Sequence, residues 1–345
     1  MTRAARARGP LAGGATKDRP ARTQPSAASS SPPAGLAAPE LRIDADLAAP
    51  AGLPAPAGLP APAVLAAPEL RIDADVARRI VGEFIRGQLR QAGFERALVG
   101  LSGGIDSSLV AYLVSEAIGP ERLLCVLMPY RTSDPASRSD AEEVVRGLGC
   151  QSIVVDISPM VDAYFADPDR AKAGQLQRGN FMARTRMAVL YDYSVWWAGL
   201  VVGTGNKTET LIGYTTLFGD NASAFNPIGD LYKTQVRQMA AAVGVPGRII
   251  AKAPSADLWP GQTDEEEGGF RYEEIDRLLF WMIDKRRSDD DLVAMGFEPE
   301  AVARVARMVA ASEFKRQVPP IAKIGPRTAG VDYLYPRRRP GSARR

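Results

Sequence analysis

Gly100-Leu101-Ser102-Gly103-Gly104-Ile105-Asp106-Ser107-Ser108 puts two adjacent glycines, three serines and one carboxylate directly ahead of a helix-compatible run. Glycine lets a backbone turn tightly and approach a ligand. A helix start offers unpaired amides at the positive end of the helix dipole. A phosphate cradle needs both properties. The string is not a Walker A loop, since the closing GK[ST] is missing, and it is not a GxGxxG dinucleotide fingerprint. Asp106 would stand beside bound phosphates, a position suited to a Mg2+ ligand. An ordinary glycine-rich helix cap accounts for the glycines, whereas serines at three places in a strand-to-helix turn go beyond it.

A second set of polar residues begins at Val201-Val202-Gly203-Thr204-Gly205-Asn206-Lys207-Thr208-Glu209. Gly213-Tyr214-Thr215-Thr216, Phe218-Gly219-Asp220 and Asn226-Pro227-Ile228-Gly229-Asp230-Leu231-Tyr232-Lys233-Thr234-Gln235-Val236 follow. Further on stand Pro254-Ser255-Ala256-Asp257-Leu258-Trp259 and Phe314-Lys315-Arg316-Gln317-Val318-Pro319. Upstream lie Arg178-Gly179-Asn180 and Ala183-Arg184-Thr185-Arg186-Met187. Singly, each has a plain structural reading. Glu209 could open a helix where its charge suits the dipole, and Lys233 could be a solvated helix-face charge. Arg184 and Arg186 could pair with Asp192 or flank a buried helix face.

SGGIDS resembles the loop of the ATP pyrophosphatase (PP-loop) superfamily, and the later motifs, in order from about Val76 to Ile324, resemble NAD synthetase. The resemblance implies a fold of the adenine nucleotide alpha hydrolase type and a two-step reaction. Mg-ATP adenylates the nicotinate carboxylate of nicotinic acid adenine dinucleotide (deamido-NAD), releasing pyrophosphate; ammonia then displaces AMP to give NAD. It also implies roles. Gly100, Leu101, Ser102, Gly103, Gly104, Ile105, Asp106 and Ser107 would line the ATP site with Thr204, Lys233 and Ser255. Ser102, Gly103, Gly104 and Ser107 would hold the pyrophosphate itself. Asp106 and Glu209 would share the Mg2+. Arg184 and Lys315 would reach deamido-NAD, and Asp220 would assist ammonia. Many ammonia-dependent relatives have Lys where Leu217 stands, GGAD where Asn221-Ala222-Ser223-Ala224 falls, and His where Phe314 stands. The grip on the dinucleotide is therefore expected to differ. The family further suggests a homodimer, for which Met182, Val189, Leu190, Tyr193, Trp196 and Trp197 offer apolar surface. Glutamine-dependent relatives carry a nitrilase-like domain with a Cys-Glu-Lys centre. Residues 1–64 are too short and proline-rich for one and contain no cysteine, so ammonia is the expected direct nitrogen donor.

The elements that must position these residues alternate. Strands are expected at Ala97–Leu101, Leu123–Met128, Ser152–Ile157 and Leu200–Val202, with helices over about Ser107–Ile118, Ser139–Leu148 and Phe181–Ala198. An amphipathic stretch at Val76–Leu89 precedes them. Such alternation implies right-handed crossovers and an open, doubly wound parallel sheet with helices on both faces, an α/β fold. Ligands then bind beyond the carboxyl ends of the strands, where the two principal motifs fall. Pro129–Asp140 and Ala253–Gly269 read as long mobile loops that would close over nucleotide.

Composition narrows the chemistry. With no histidine among 345 residues, Ser-His-Asp and Cys-His nucleophiles and His-ligated zinc are excluded. Cys125 and Cys150 have no CxxC spacing and suit a reducing cytoplasm. Net charge is +3 overall. Residues 1–64 contribute +3 and Arg337–Arg345 contribute +5, leaving the body near −5, a poor surface for nucleic acid. Residues 1–64, rich in Ala, Pro and Gly, are expected to be a disordered tail. The synthetase domain is expected over 65–336 and a basic tail over 337–345. No apolar run approaches the roughly 18 residues that span a bilayer. The alternatives are another PP-loop amide-forming or nucleotide-modifying enzyme, or a non-catalytic ATP-binding module.

Overall fold

A computed structural model describes residues 67–259 and 261–328; the tails expected over 1–64 and 337–345 lie outside the described residues. Asp73 accepts the Val76 amide at 3.0 Å and opens helix α1 (Ala74–Ala92), which Gly93 ends at φ +79°. Val81, Ile85 and Leu89 recur one helical turn apart and are buried. Then come β1 (Arg96–Gly100), α2 (Ile105–Ile118), β2 (Leu123–Leu127), α3 (Pro135–Leu148) and β3 (Gln151–Val154). The chain continues through α4 (Ser158–Phe165), α5 (Gln175–Trp197) and β4 (Gly199–Val202). The last part is helical: α6 (Lys207–Ile212), α7 (Lys233–Val243), α8 (Gly247–Ala251), α9 (Asp264–Gly268) and α10 (Tyr272–Leu279), then α11 (Asp289–Ala294) and α12 (Pro299–Ala311).

All pairings in the four-stranded sheet are parallel, in the order β3-β2-β1-β4. Its residues alternate between two cores, as a two-residue period requires. Ala97, Val99, Leu123, Cys125 and Leu127 pack with α1, α2 and α7 on one face. Leu98, Leu124, Val126 and Val201 pack on the other with Trp197 and with Val189, Leu190 and Tyr193 of α5. Buried aliphatic side chains of this size contribute about 1.5–3 kcal/mol each relative to exposure. The two faces together make the sheet a rigid platform. A third core joins α6, α10, α11 and α12 through Ile212, Ile275, Leu278, Leu279, Leu292, Val302 and Val305.

The sheet order fixes where a ligand can sit. The chain steps outward from β1 to β2 to β3, then returns across to β4 on the far side of β1. The β1–β4 junction is therefore the topological switch point, where the loops diverge and leave a crevice. Past β4, the Ala224 amide donates to Val201 O at 2.9 Å and Gly203 donates to Phe225 O at 2.8 Å, so the backbone near Phe225 prolongs the sheet edge.

Three expectations change. The expected loop Ala253–Gly269 contains α9 (Asp264–Gly268). Residues 135–140 are not loop: Asp134 accepts the Ala136 amide at 2.9 Å and Pro135 starts α3, a capping arrangement hidden in a polar stretch. The third strand ends at Val154, short of Ile157, although Val155 and Ile157 still donate to Leu127 O at 2.8 Å and Pro129 O at 3.0 Å; the Asp156 carboxylate accepts the Ser158 amide at 2.8 Å just ahead of α4. The two expected loops also meet. Asp257 accepts the Asp134 amide at 3.0 Å, and Lys252 Nζ reaches Ser137 Oγ and Asp140 Oδ2, each at 3.0 Å. No helix among the described residues is long and apolar enough to cross a membrane.

Candidate functional site

Strand β1 ends at Gly100 and helix α2 begins at Ile105, so Leu101–Gly104 form the turn. Gly103 takes φ +81°, and a Cβ there would lie 2.0 Å from Ser137 O. Only glycine fits between the turn and α3. The serines then close the loop on itself. Ser107 Oγ accepts the Ser102 amide at 3.2 Å and donates to Gly104 O at 3.2 Å, while Ser102 Oγ accepts the Gly104 amide at 3.2 Å. Ser108 Oγ donates to the same Gly104 carbonyl at 2.8 Å. The turn thus rests on the amino end of α2, where the helix dipole favours an anion. Ser102 is exposed at its mouth.

The loop after β4 comes alongside from the other side of the switch point. Asn206 caps α6 by accepting the Glu209 amide at 2.9 Å, and Glu209 Oε2 accepts the Asn206 amide in return at 3.3 Å. The side chain of Asn206 also donates to Asp106 Oδ1 at 3.0 Å. One buried residue therefore caps a helix and joins the two loops. Thr204 is half-buried in this loop.

Lys233 completes the centre. It is 2% exposed, and its Nζ donates to Asp106 Oδ2 at 2.6 Å and to Glu209 Oε1 at 3.0 Å. The plain reading of a solvated helix-face charge fails for this residue. Burial acts to lower its pKa, but the charges of Asp106 and Glu209 outweigh that and hold the ammonium above its ordinary value. Burial and the charge of Asp106 push Glu209 up to about 7, against the pull of Lys233. Glu209 does open a helix as its plain reading supposed, yet the same carboxylate faces the lysine.

Asp264 was not singled out in the sequence, where it heads an acidic run inside an apparent loop. It is 4% exposed, and its Oδ2 accepts from Tyr272 Oη at 3.1 Å. Asp264 Oδ1 is buried without a hydrogen-bond partner. Burial raises its carboxyl, and its charge is felt by Lys233 and Glu209. The Tyr272 ring lies 5.0 Å from Lys233 Nζ. Asp276 was missed too. Its two oxygens accept from Thr208 Oγ1 and the Thr234 amide beneath the centre. Asp264 lies in a stretch that reads as loop and Asp276 in one where no functional motif stands out.

A second group of expected residues gathers around the 213–220 turn. Asp220 Oδ1 accepts the Thr216 amide at 2.6 Å, and Thr216 Oγ1 donates to Asn180 Oδ1 at 2.7 Å. Surrounding protein raises the Asp220 carboxyl, opposed by backbone hydrogen bonds and the charge of Lys315. The residue as a whole is nonetheless exposed, at the edge of the 213–220 turn. Lys315 Nζ donates to Thr215 O at 2.7 Å and Gly213 O at 3.0 Å, and Arg184 Nε donates to Leu217 O at 3.1 Å. Arg184, Asp220 and Lys315 thus converge on one turn. Ser255 is exposed, and its Oγ accepts the Asp257 amide at 3.0 Å. Leu217 is half-buried, while Ala224 and Phe314 are exposed.

The donor set suits Mg2+. That ion takes oxygen ligands, commonly one or two carboxylates together with substrate phosphates. Asp106 and Glu209, the two carboxylates facing the Lys233 ammonium, match that number; among the described residues no cluster of three or more ligating side chains forms, so substrate phosphates would complete the shell.

A parallel sheet with a glycine-serine turn and a carboxylate-lysine centre at its switch point defines an α/β nucleotide-binding enzyme. The family model described as NAD synthase matches residues 77–319. The NH(3)-dependent NAD(+) synthetase of Trichlorobacter lovleyi is 53% identical over 263 residues, covering 76% of this chain and 95% of that protein. Among solved structures, the NH3-dependent NAD synthetase of Campylobacter jejuni in complex with the nitrate ion aligns at TM-score 0.63 and 30% identity. That match covers 73% of this chain and all (100%) of the other. The NMN synthetase of Francisella tularensis aligns at TM-score 0.66 and 29% identity, over 74% of this chain and 100% of its own. The chain belongs to the NAD synthase family.

Proposed function

We infer that this chain makes NAD from deamido-NAD, ATP and ammonia, releasing AMP and pyrophosphate. One observation carries the reading: Asp106, Lys233 and Glu209 meet at the mouth of a glycine-serine turn on a helix amino end. A nicotinate oxygen attacks the α-phosphorus, the bond to pyrophosphate breaks, and an acyl adenylate forms. Ammonia then attacks the acyl carbon, the acyl–oxygen bond to AMP breaks, and the amide of NAD remains.

Each step gives the residues a task. Ser102, Gly103, Gly104 and Ser107 cradle the departing pyrophosphate with Gly100, Leu101 and Ile105 shaping the turn, and Thr204 and Ser255 contact ATP. Lys233 offsets negative charge as pyrophosphate leaves. Asp106 and Glu209 would hold Mg2+, which when bound would supply further charge neutralisation on the phosphates. Arg184 and Lys315 orient the dinucleotide. Asp220 holds ammonium or takes the proton that the attacking nitrogen sheds. We assign this work to a domain spanning 65–336, in a cytoplasmic homodimer without nucleic-acid or membrane partners.

Pyrophosphate release coupled to a colour-forming enzyme tests the reading. Release should require deamido-NAD and Mg-ATP, and NAD should appear with ammonium and not with glutamine. Nicotinic acid mononucleotide belongs in a parallel arm, since a structural relative is an NMN synthetase. Nucleotide binding without pyrophosphate release would overturn the assignment, and preference for the mononucleotide would redirect it.

A further inference from the structure

Asp276 lies on α10, remote in sequence from both nucleotide loops, and is wholly buried at 0% exposure. Its Oδ1 accepts from Thr208 Oγ1 at 2.5 Å and its Oδ2 accepts the Thr234 amide at 2.7 Å. Thr208 Oγ1 in turn accepts the Lys233 amide at 3.0 Å. Thr208 is the second residue of α6 and Thr234 the second residue of α7. One carboxylate therefore ties together the first turns of two helices, and those turns carry Glu209 and Lys233.

Packing alone does not call for an acid here. Ile275, Leu278 and Leu279 beside it bury apolar side chains in the α6–α10–α12 core, and a carboxylate in such surroundings is costly to desolvate. What the acid adds is direction. It accepts two hydrogen bonds, faces the positive ends of two helices, and fixes the backbone from which the Lys233 side chain reaches Asp106 and Glu209.

We propose that Asp276 is a positioning residue for the adenylation step, acting through Thr208 to hold Lys233 and Glu209 in the register that grips Mg-ATP. The proposal rests on the assignment of Lys233 and Glu209 to ATP handling. Its role lies in geometry, so the predicted losses concern the nucleotide and metal rather than the dinucleotide.

Three substitutions in the full-length chain test it: Asp276→Asn, Thr208→Val and Thr208→Ser. Asp276→Asn and Thr208→Val should raise the KM for ATP and the Mg2+ concentration for half-maximal activity by roughly ten- to a hundredfold. The KM for deamido-NAD should stay within about twofold. Calorimetric affinity for Mg2+-α,β-methylene-ATP should fall in parallel, and Thr208→Ser, which keeps the hydroxyl, should restore both. If Asp276→Asn does not fold, the contrast of Thr208→Val with Thr208→Ser decides. A lowered Tm with ATP and Mg2+ parameters unchanged would reduce Asp276 to a structural role and overturn the proposal. Equal losses for ATP and deamido-NAD would do the same. Lys233→Met separates the two readings. If it leaves ATP handling intact, the underlying site assignment fails; if it abolishes ATP handling while Thr208→Val does not, only the Asp276 proposal fails.

Discussion

Lys233 lies between two carboxylates, nearly out of water, and feels the charge of a third acid, Asp264. Removing one partner from a buried charge cluster strands the others, at a cost of about 3–5 kcal/mol. Lys233→Met should therefore lower Tm and reduce kcat/KM by ~10²-fold or more, because a preorganised cation is lost. Saturating Mg2+ should restore part of that Tm, and more than it adds to the wild type. A thermal melt with and without Mg2+ reads this directly; equal Mg2+ responses would contradict the pairing. Asp220 stands apart, on the 213–220 turn, its carboxylate accepting the Thr216 amide. Asp220→Asn should lower NAD formation about 10²–10⁴-fold, the range for lost general-base work. The single-turnover burst of pyrophosphate should persist, because adenylation precedes nitrogen attack. Loss of the burst would move Asp220 out of the ammonia step.

At the scale of elements, the strands and the helices around β1 were legible because their apolar patterns are clean: short continuous runs in the strands, buried on both faces, and a spacing near 3.6 in α1. The glycine-serine turn was legible because its residue types have few other uses. The start of α3 was not, since Asp134-Pro135 sits among serines and arginines and its capping bond is visible only in three dimensions. Asp264 and Asp276 were not, because burial and not type gives them meaning. Gly103 and Gly104 look alike in the sequence and differ in space. A Cβ at Gly103 meets Ser137 O at 2.0 Å with φ +81°, whereas one at Gly104 meets only Ser102 Oγ at 3.3 Å. Gly103→Ala should cost about 1–3 kcal/mol in denaturant titration, and Gly104→Ala clearly less. The seam under α6 and α7 predicts a pH signature. Burial pushes Asp276 up to about 6 from its ordinary 3.8, against the hydrogen bonds from Thr208 and Thr234. A raised carboxyl favours folding below the unfolded pKa, and that contribution is lost as pH rises through the folded pKa. Relative to Asp276→Asn, the wild type should lose on the order of 3 kcal/mol between about pH 4 and about pH 7. A flat difference across that window would contradict the buried, ionisable state.

Over the whole molecule, the helix expected to serve a dimer divides its work. Met182 and Trp197 are buried, and Val189, Leu190 and Tyr193 pack within the chain. Val195 and Trp196 remain 83% and 66% exposed. Apolar surface of that kind suits a second copy of the chain. Sedimentation at micromolar concentration should give a dimer, and Val195→Glu with Trp196→Glu should give a folded monomer; a wild-type monomer would remove the assembly. The centre itself has a consequence for biogenesis. Asp106 meets Asn206 across 100 positions and Lys233 across 127, and α10 lies beyond both. Contacts so distant along the chain form late, after loop-closure entropy has been overcome. A ribosome-bound chain can complete its four strands before it has made the lysine or the acid beneath it. Protection by Mg-ATP should thus appear abruptly among nascent chains, only once α10 has cleared the exit tunnel.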